Sequence, residues 1–153
     1  MAFFVNLFSP ETHAAFAASN RSVSGFRESR KGSAQKVKKG DVFVCYVTTA
    51  SRWCGLLEVV DGPFEDHTPL FLASDDPFSV RFHVRQLVWL DIERSIPVHD
   101  SALWSNLSFT RRLALDSLKW TGTIRASLTR LTDDDGIKLT RGRAGASYLP
   151  ARL

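Results

Sequence analysis

Apolar side chains fill every position from Val42 to Val47, directly behind a Gly40-Asp41 turn signal. A run this short, rich in β-branched and aromatic types, predicts a strand buried on both faces rather than a helix. Thr48 to Ser51 are small and mostly polar and predict a turn. Trp53 to Val60 then reads as a second strand, closed by Asp61-Gly62-Pro63, because proline donates nothing to a ladder and glycine admits positive φ. Together they predict a hairpin at the centre of a sheet, with Arg52, Trp53, Asp66, His67 and Phe71 on its connections. Upstream, Ala2 to Phe8 predicts a first strand; it lacks the basic leader and small-residue cleavage site of a signal peptide. Ser9 is the expected N-cap of a short helix, with Pro10 at its first position and Phe16 turned inward, and His13 is expected on its surface. A capping box is not expected, because the third helical position is Thr12 rather than Glu or Gln. Asn20 to Lys39 is polar and basic, is interrupted by Gly25 and Gly32, and reads as a loop.

Beyond the hairpin, residues 63–71 form a loop of aromatic and acidic character and 73–77 a turn. From Ser79 the chain alternates, with Val80, Phe82 and Val84 on one side and Arg81, His83 and Arg85 on the other, which predicts a strand with one exposed face. The alternation slips at Gln86-Leu87, the mark of a β-bulge or of a strand changing partners. Ile96-Pro97-Val98 reads as an edge segment and His99 to Asn106 as a small helix or turn that buries Leu103 and Trp104. Trp89, Trp104 and Trp120 sit in core-like contexts. Gly122 to Arg125 is the expected last strand and Thr132 to Gly136 an acidic turn. These elements predict one domain over residues 1–137, followed by a basic tail or linker over 138–153.

A length of 153 residues with 44% hydrophobic content suits one domain with a sizeable core. No apolar stretch reaches the roughly 18 residues that span a bilayer, so no membrane partner is expected. Cys45 and Cys54 fall inside expected strands and read as buried thiols of a reducing, cytoplasmic setting. The net charge of +4 conceals a pattern: residues 1–39 carry +5, residues 40–118 carry −5, and residues 119–153 carry +4. Two basic ends around an acidic middle describe either a polyanion-facing surface assembled from both ends or a soluble surface with local charge variation.

The chain has no glycine-rich phosphate loop, no zinc spacing, no HExxH and no nucleophile elbow, so neither metal nor cofactor is expected. His67 beside Asp66, and His99 beside Asp100, lack a nucleophile or paired carboxylate in a recognisable motif. Phe26 is the lone aromatic residue of the basic segment, and is either an anchor for the loop or a stacking platform for a base. Reading one base outside a duplex needs aromatic walls, a few polar groups for the base edge and cations for the flanking phosphates. All three residue types are present here in the loops.

The succession FFVNLFSPE, GFRESR, KKGDVFVCYVTTASRWCGLLEVVDGPFED, HTPLF, SVRFHV, IPV and LWSNLSF, over roughly residues 3–110, resembles the EVE domain. That family belongs to the PUA-like superfamily and is related to the YTH readers of methylated adenine. The resemblance implies an α+β fold: a curved, barrel-like mixed β-sheet with short flanking helices. It also implies recognition of a modified base in DNA or RNA, flipped into an aromatic pocket, in some relatives as the targeting part of a modification-dependent restriction system with a nuclease or NTPase partner. Carried onto this sequence, the pocket comprises Ser9, Ser24, Phe26, Trp53, Asp66 and Phe71. The phosphate-binding side chains are Arg21, Arg27, Arg30, Lys31, Lys36, Lys38 and Arg52. Phenylalanine stands at 26 and 71, where related readers often carry tryptophan. The competing expectation is a small enzyme of the same fold acting on RNA or a nucleotide, which requires titratable groups of perturbed pKa inside the cleft. A third is a small-molecule binder or interaction module, for which the basic ends are incidental.

Overall fold

The computed structural model describes residues 1–71 and 76–141. Its frame is a seven-stranded mixed sheet. Strand β1 (Phe3–Phe8) runs parallel to β3 (Val42–Val47), which forms an antiparallel hairpin with β4 (Arg52–Glu65). Beyond β4 lie β5 (Val80–Trp89) and then β2 (Val23–Phe26), both antiparallel to their neighbours. The hairpin therefore sits at the centre, as its doubly apolar pattern predicts. Alternation along β1 and β3 separates two cores. Phe3, Val5, Val42, Val44 and Tyr46 enter one, while Phe4, Phe8, Phe43, Cys45 and Val47 enter the other. The sheet curls until its β2 edge meets β1, where Asn6 Nδ2 donates to Ser24 Oγ at 2.7 Å. These two strands are not ladder neighbours, so this side-chain bond fastens the half-barrel.

Helix α1 (Pro10–Ala18) begins where Ser9 and proline place it, and Phe16 is fully buried. The expected lack of a capping box is corrected. Ser9 Oγ accepts from Thr12 N, and Thr12 Oγ1 accepts from Ser9 N at 2.9 Å, so a threonine hydroxyl replaces the usual carboxylate. His13 is buried rather than on the surface; its ring stacks on Trp89 and its Nε2 lies 3.0 Å from Leu90 O.

The expected loop from Asn20 to Lys39 contains β2 and a short helix α2 (Lys31–Ala34). Four residues with serine and glycine carry little strand signal; β5 supplies the ladder, pairing Ser24 with Phe82. Gly25 is required there, since a Cβ would lie 2.6 Å from Leu70 Cδ2 and 2.9 Å from Phe78 O. Strand β4 continues through Gly62-Pro63 to Glu65, past the expected stop. The ladder to β5 is irregular between Asp61 and Phe64, so proline's missing N–H costs no regular bond. The slip predicted at Gln86-Leu87 is a register shift, with Leu56 opposite Val88 and Leu57 opposite Gln86. Arg81 does not share the exposed face of His83 and Arg85. It is buried, and its guanidinium donates to the carbonyls of Phe78, Pro77 and Thr68 and pairs with Asp66.

After β6 (Ile96–Pro97), which pairs with the start of β4, α3 (Ser101–Trp104) turns Leu103 and Trp104 into the first core, where Trp120 joins them. The last strand is β7 (Arg130–Leu131), paired with Phe3 and Phe4, rather than Gly122–Arg125. The acidic segment is helical: α4 (Asp133–Arg141) starts with acidic residues at the positive end of its dipole and lays Gly136 against the Phe3 ring. Helix α4 extends past residue 137, and the expected tail from 142 onward lies outside the described residues. Cys45 and Cys54 are both buried and free. Among the described residues no helix is long and apolar enough to cross a membrane.

Candidate functional site

A cavity of about 500 Å³ opens where the curl brings three segments together: the end of β1, the end of β2 with the turn to Arg30, and residues Arg125 to Ser127. Its size falls in the range of roughly 300–1,000 Å³ usual for small-ligand sites. Phe26, Phe71 and Phe78 line it. Phe26 is 2% exposed and packs edge-on against Phe43 and Phe82, with centroids at 5.3 and 5.9 Å. It is thus both an anchor of its segment and a wall of the cavity. Phe71 is half-buried, 6.4 Å from Phe8, 6.2 Å from Phe16 and 6.0 Å from Phe78.

The polar groups of the cavity are mostly held in place. Ser9 and Thr12 are tied together in the capping box. Thr48 donates to Phe8 O, and Ser127 Oγ accepts from Leu7 N at 3.0 Å. Asn6 is the exception in character: only 2% exposed, it lines an otherwise aromatic floor with one end of its amide on Ser24. Ser24 itself is fully buried behind Asn6 and does not line the cavity.

Three arginines rim the opening: Arg27, Arg30 and Arg125. The Arg27 guanidinium lies 5.5 Å from the Phe78 ring centroid and 3.5 Å from Asp76. Arg30 Nη2 donates to Ser33 Oγ at 2.9 Å, while its Nε is buried without an acceptor among the described residues. No carboxylate, histidine or lysine lines this cavity among the described residues. The arrangement can therefore stack a planar ring, bond its edge and hold an anion.

The structure gathers Ser9, Phe26, Phe71, Arg27 and Arg30 from the expected set. Trp53 requires correction. It points to the opposite face of the sheet, 4% exposed, with its ring 4.9 Å from Tyr46 in the first core. Strand alternation decides this: Cys54 and Leu57 take the cavity-side core, and Trp53 and Leu56 the other. Asp66 is also outside the cavity, paired with Arg81 Nη1 at 3.2 Å. Thr68 N–H donates to Asp66 Oδ1 at 2.9 Å and, with nearby Arg81, holds its carboxyl below the usual range. Lys31 bonds Glu65, which raises the lysine and lowers the Glu65 carboxyl. Arg21 donates to Ala17 O and Gln86, and Arg52 to Ser95 O at 2.5 Å, all away from the cavity. Lys36 and Lys38 line a second cavity instead. Asn6, Phe78 and Arg125 were absent from the expected set. A polar residue inside an apolar strand flags Asn6, whereas nothing local flags Phe78 or Arg125, which arrive through the fold.

The architecture is a curled mixed half-barrel of the YTH-like fold, and the aromatic, arginine-rimmed cavity lies where β1 and β2 meet. Solved structures with this fold include the Pho92 YTH domain in complex with m6A (TM-score 0.62, 18% identity, 90% of this chain and 80% of that one). The YTH domain-containing protein mmi1, in an RNA complex, matches with TM-score 0.58 and 15% identity over 90% of this chain and 78% of its own. Protein Atu2648 from Agrobacterium tumefaciens matches end to end, covering 98% and 97% of the two chains at TM-score 0.56 and 14% identity. By sequence, no family model and no curated protein matches. The TM-scores show a shared fold, and at these identities the likeness shows the fold alone.

Proposed function

We propose that this chain is a nucleic-acid-binding module that reads a modified base, of the EVE type its sequence resembles, and that it binds rather than catalyses. One observation carries the reading: a 500 Å³ cavity with phenylalanine walls, an asparagine in its floor and arginines on its rim. Aromatic faces stack a base, the Asn6 amide bonds its edge, and Arg27, Arg30 and Arg125 take the flanking phosphates. Stacking contributes roughly 1–3 kcal/mol per base, comparable with a good bidentate base contact, so walls and amide together suffice to discriminate. The solved structures named above support this reading, because one of them holds m6A and another RNA. Targeting a partnered nuclease or motor to modified nucleic acid is the role this reading assigns it in a restriction setting.

The test is a binding panel of otherwise identical DNA and RNA oligonucleotides that differ in one methylated or hydroxymethylated base. A modification-dependent gain in affinity, lost in Asn6→Ala, is expected. Equal affinity for every member of the panel would remove the reader assignment.

A further inference from the structure

Alternation along β5 would leave Arg81 exposed beside His83 and Arg85, yet it is only 5% exposed. The chain that covers it also carries part of the cavity wall. Its guanidinium fork is used entirely on that chain. Nε donates to Phe78 O and Nη2 to Pro77 O, both at 3.1 Å; Nη2 also donates to Thr68 O, and Nη1 pairs with Asp66 at 3.2 Å. Arg81 itself does not line the cavity. Its partners fall on two segments, residues 66–71 and 76–79, and each segment holds a phenylalanine that does: Phe71 in the first and Phe78 in the second.

Burying a guanidinium is costly unless its donors find acceptors. An apolar side chain would cover this stretch of strand at less cost, but it would give nothing to the carbonyls of Thr68, Pro77 and Phe78. The residue type therefore follows from the carbonyls it gathers. Arginine presents several donors in one planar fork, whereas a lysine amine is a point charge on a flexible stem and cannot reproduce that geometry.

Phe78 shows what the fork holds. Its φ is 52°, in the left-handed region that bulky side chains rarely adopt. Such conformations persist where the surroundings over-determine them, and they gather at binding sites. Phe78 N–H donates to Asp76 Oδ1 at 3.0 Å while its carbonyl accepts from Arg81 Nε, so the peptide groups on both sides of the strained residue are fixed. The same chain presses on β2, where a Cβ at Gly25 would lie 2.9 Å from Phe78 O. The Phe71 and Phe78 rings stand 6.0 Å apart, tilted by 57°. A wall fixed in advance has no ordering cost to meet when the ligand arrives.

Resting on the base-reader assignment, we propose that Arg81 is a positioning residue of the reading site. From outside the cavity it ties down the two segments that carry Phe71 and Phe78, so that both rings form a stacking wall before the base enters.

The test uses the whole chain labelled with 4-fluorophenylalanine, the resonances of 71 and 78 being assigned by Phe71→Leu and Phe78→Leu. Arg81→Lys keeps the charge and removes the fork. Asp66→Ala removes one tie through a half-exposed side chain, and serves where Arg81→Lys does not fold. Arg85→Lys, on the same strand and paired with Glu58, is the control. Without ligand, Arg81→Lys should move the fluorine resonances of 71 and 78 toward that of the free amino acid, and Asp66→Ala should move them less. Those of the buried Phe3, Phe16 and Phe43 should keep their places. Affinity for the modified oligonucleotide should fall about tenfold in Arg81→Lys, within the range for losing one stacking face, and stay unchanged in Arg85→Lys. Unmoved resonances at 71 and 78 in a folded variant, movement of every phenylalanine together, or unchanged affinity despite moved rings would overturn the positioning role. A parent that binds modified and unmodified oligonucleotides equally removes the base reading instead, and the ligand-free spectra then decide by themselves whether Arg81 places the two rings.

Discussion

Truncating Phe71 to alanine separates binding from folding better than truncating Phe26. Phe26 is almost wholly buried between Phe43 and Phe82, so its removal would collapse core and cavity together. Phe71 is half-buried and meets Phe8, Phe16 and Phe78 only at tilted or edge geometry, with centroids 6.0 to 6.4 Å away. Deleting a fully buried phenylalanine costs roughly 3–5 kcal/mol. Half-burial brings the expected stability loss for Phe71→Ala to about 2 kcal/mol, scaling that figure. The binding cost is that of one stacking face, roughly 1–3 kcal/mol. Since about 1.4 kcal/mol is tenfold, affinity for the preferred modified oligonucleotide should fall by about 5- to 150-fold. Phe71→Trp should retain or tighten binding, because a larger ring offers more stacking area. Dissociation constants by fluorescence anisotropy, with urea unfolding on the same samples, measure the two effects separately. Affinity within twofold of the parent in a folded Phe71→Ala protein would remove Phe71 from the wall.

Two other outcomes follow from the fold and the charged loop. In Gly136→Ala the new Cβ would lie 2.1 and 2.2 Å from atoms of the Phe3 ring, which is itself 1% exposed and hemmed in. The gain in helix propensity, about 1 kcal/mol, is outweighed by overpacking, typically 1–3 kcal/mol or more, so the urea midpoint should drop; a rise would show that α4 does not press on β1. Acid should release the loop at Glu65 to Thr68. Both carboxyls are held below their ordinary values, Glu65 by Lys31 and Asp66 by Thr68, so their contributions are present above the ordinary carboxylate range and fade as pH falls through the lowered values. Lys31 is shifted upward, so its share is complete below the ordinary amine value and persists through neutrality. Amide exchange at Thr68 should be slower at pH 7 than below about pH 3 once corrected for intrinsic rates, and equal protection would contradict the contact.

The local pattern of this chain determined its central elements. Six apolar residues from Val42 to Val47 predict a doubly buried strand, Ser9-Pro10 ahead of an apolar stretch suits a helix start, and a slipped alternation at Gln86-Leu87 marks a bulge. Each outcome depends on residues within a few positions of one another. Phe26, Phe71, Arg27 and Arg30 entered the expected set through the resemblance to a known family rather than through local pattern, and the structure places all four around one cavity.

Tertiary structure alone decided the rest. The short strand β2 exists because β5 lies beside it, and VSGF carries too little intrinsic preference to announce it. Arg81 is buried because the carbonyls of Thr68, Pro77 and Phe78 converge on it from a neighbouring loop. Trp53 went to the opposite core because the face of a strand residue depends on register, and a shift of one position exchanges the two faces. Arg125 reaches the rim of the cavity from the far end of the chain, about a hundred residues beyond Arg27 and Arg30 in sequence. A cavity assembled from such distant segments has no linear signature. It forms only when the sheet curls and Asn6 meets Ser24.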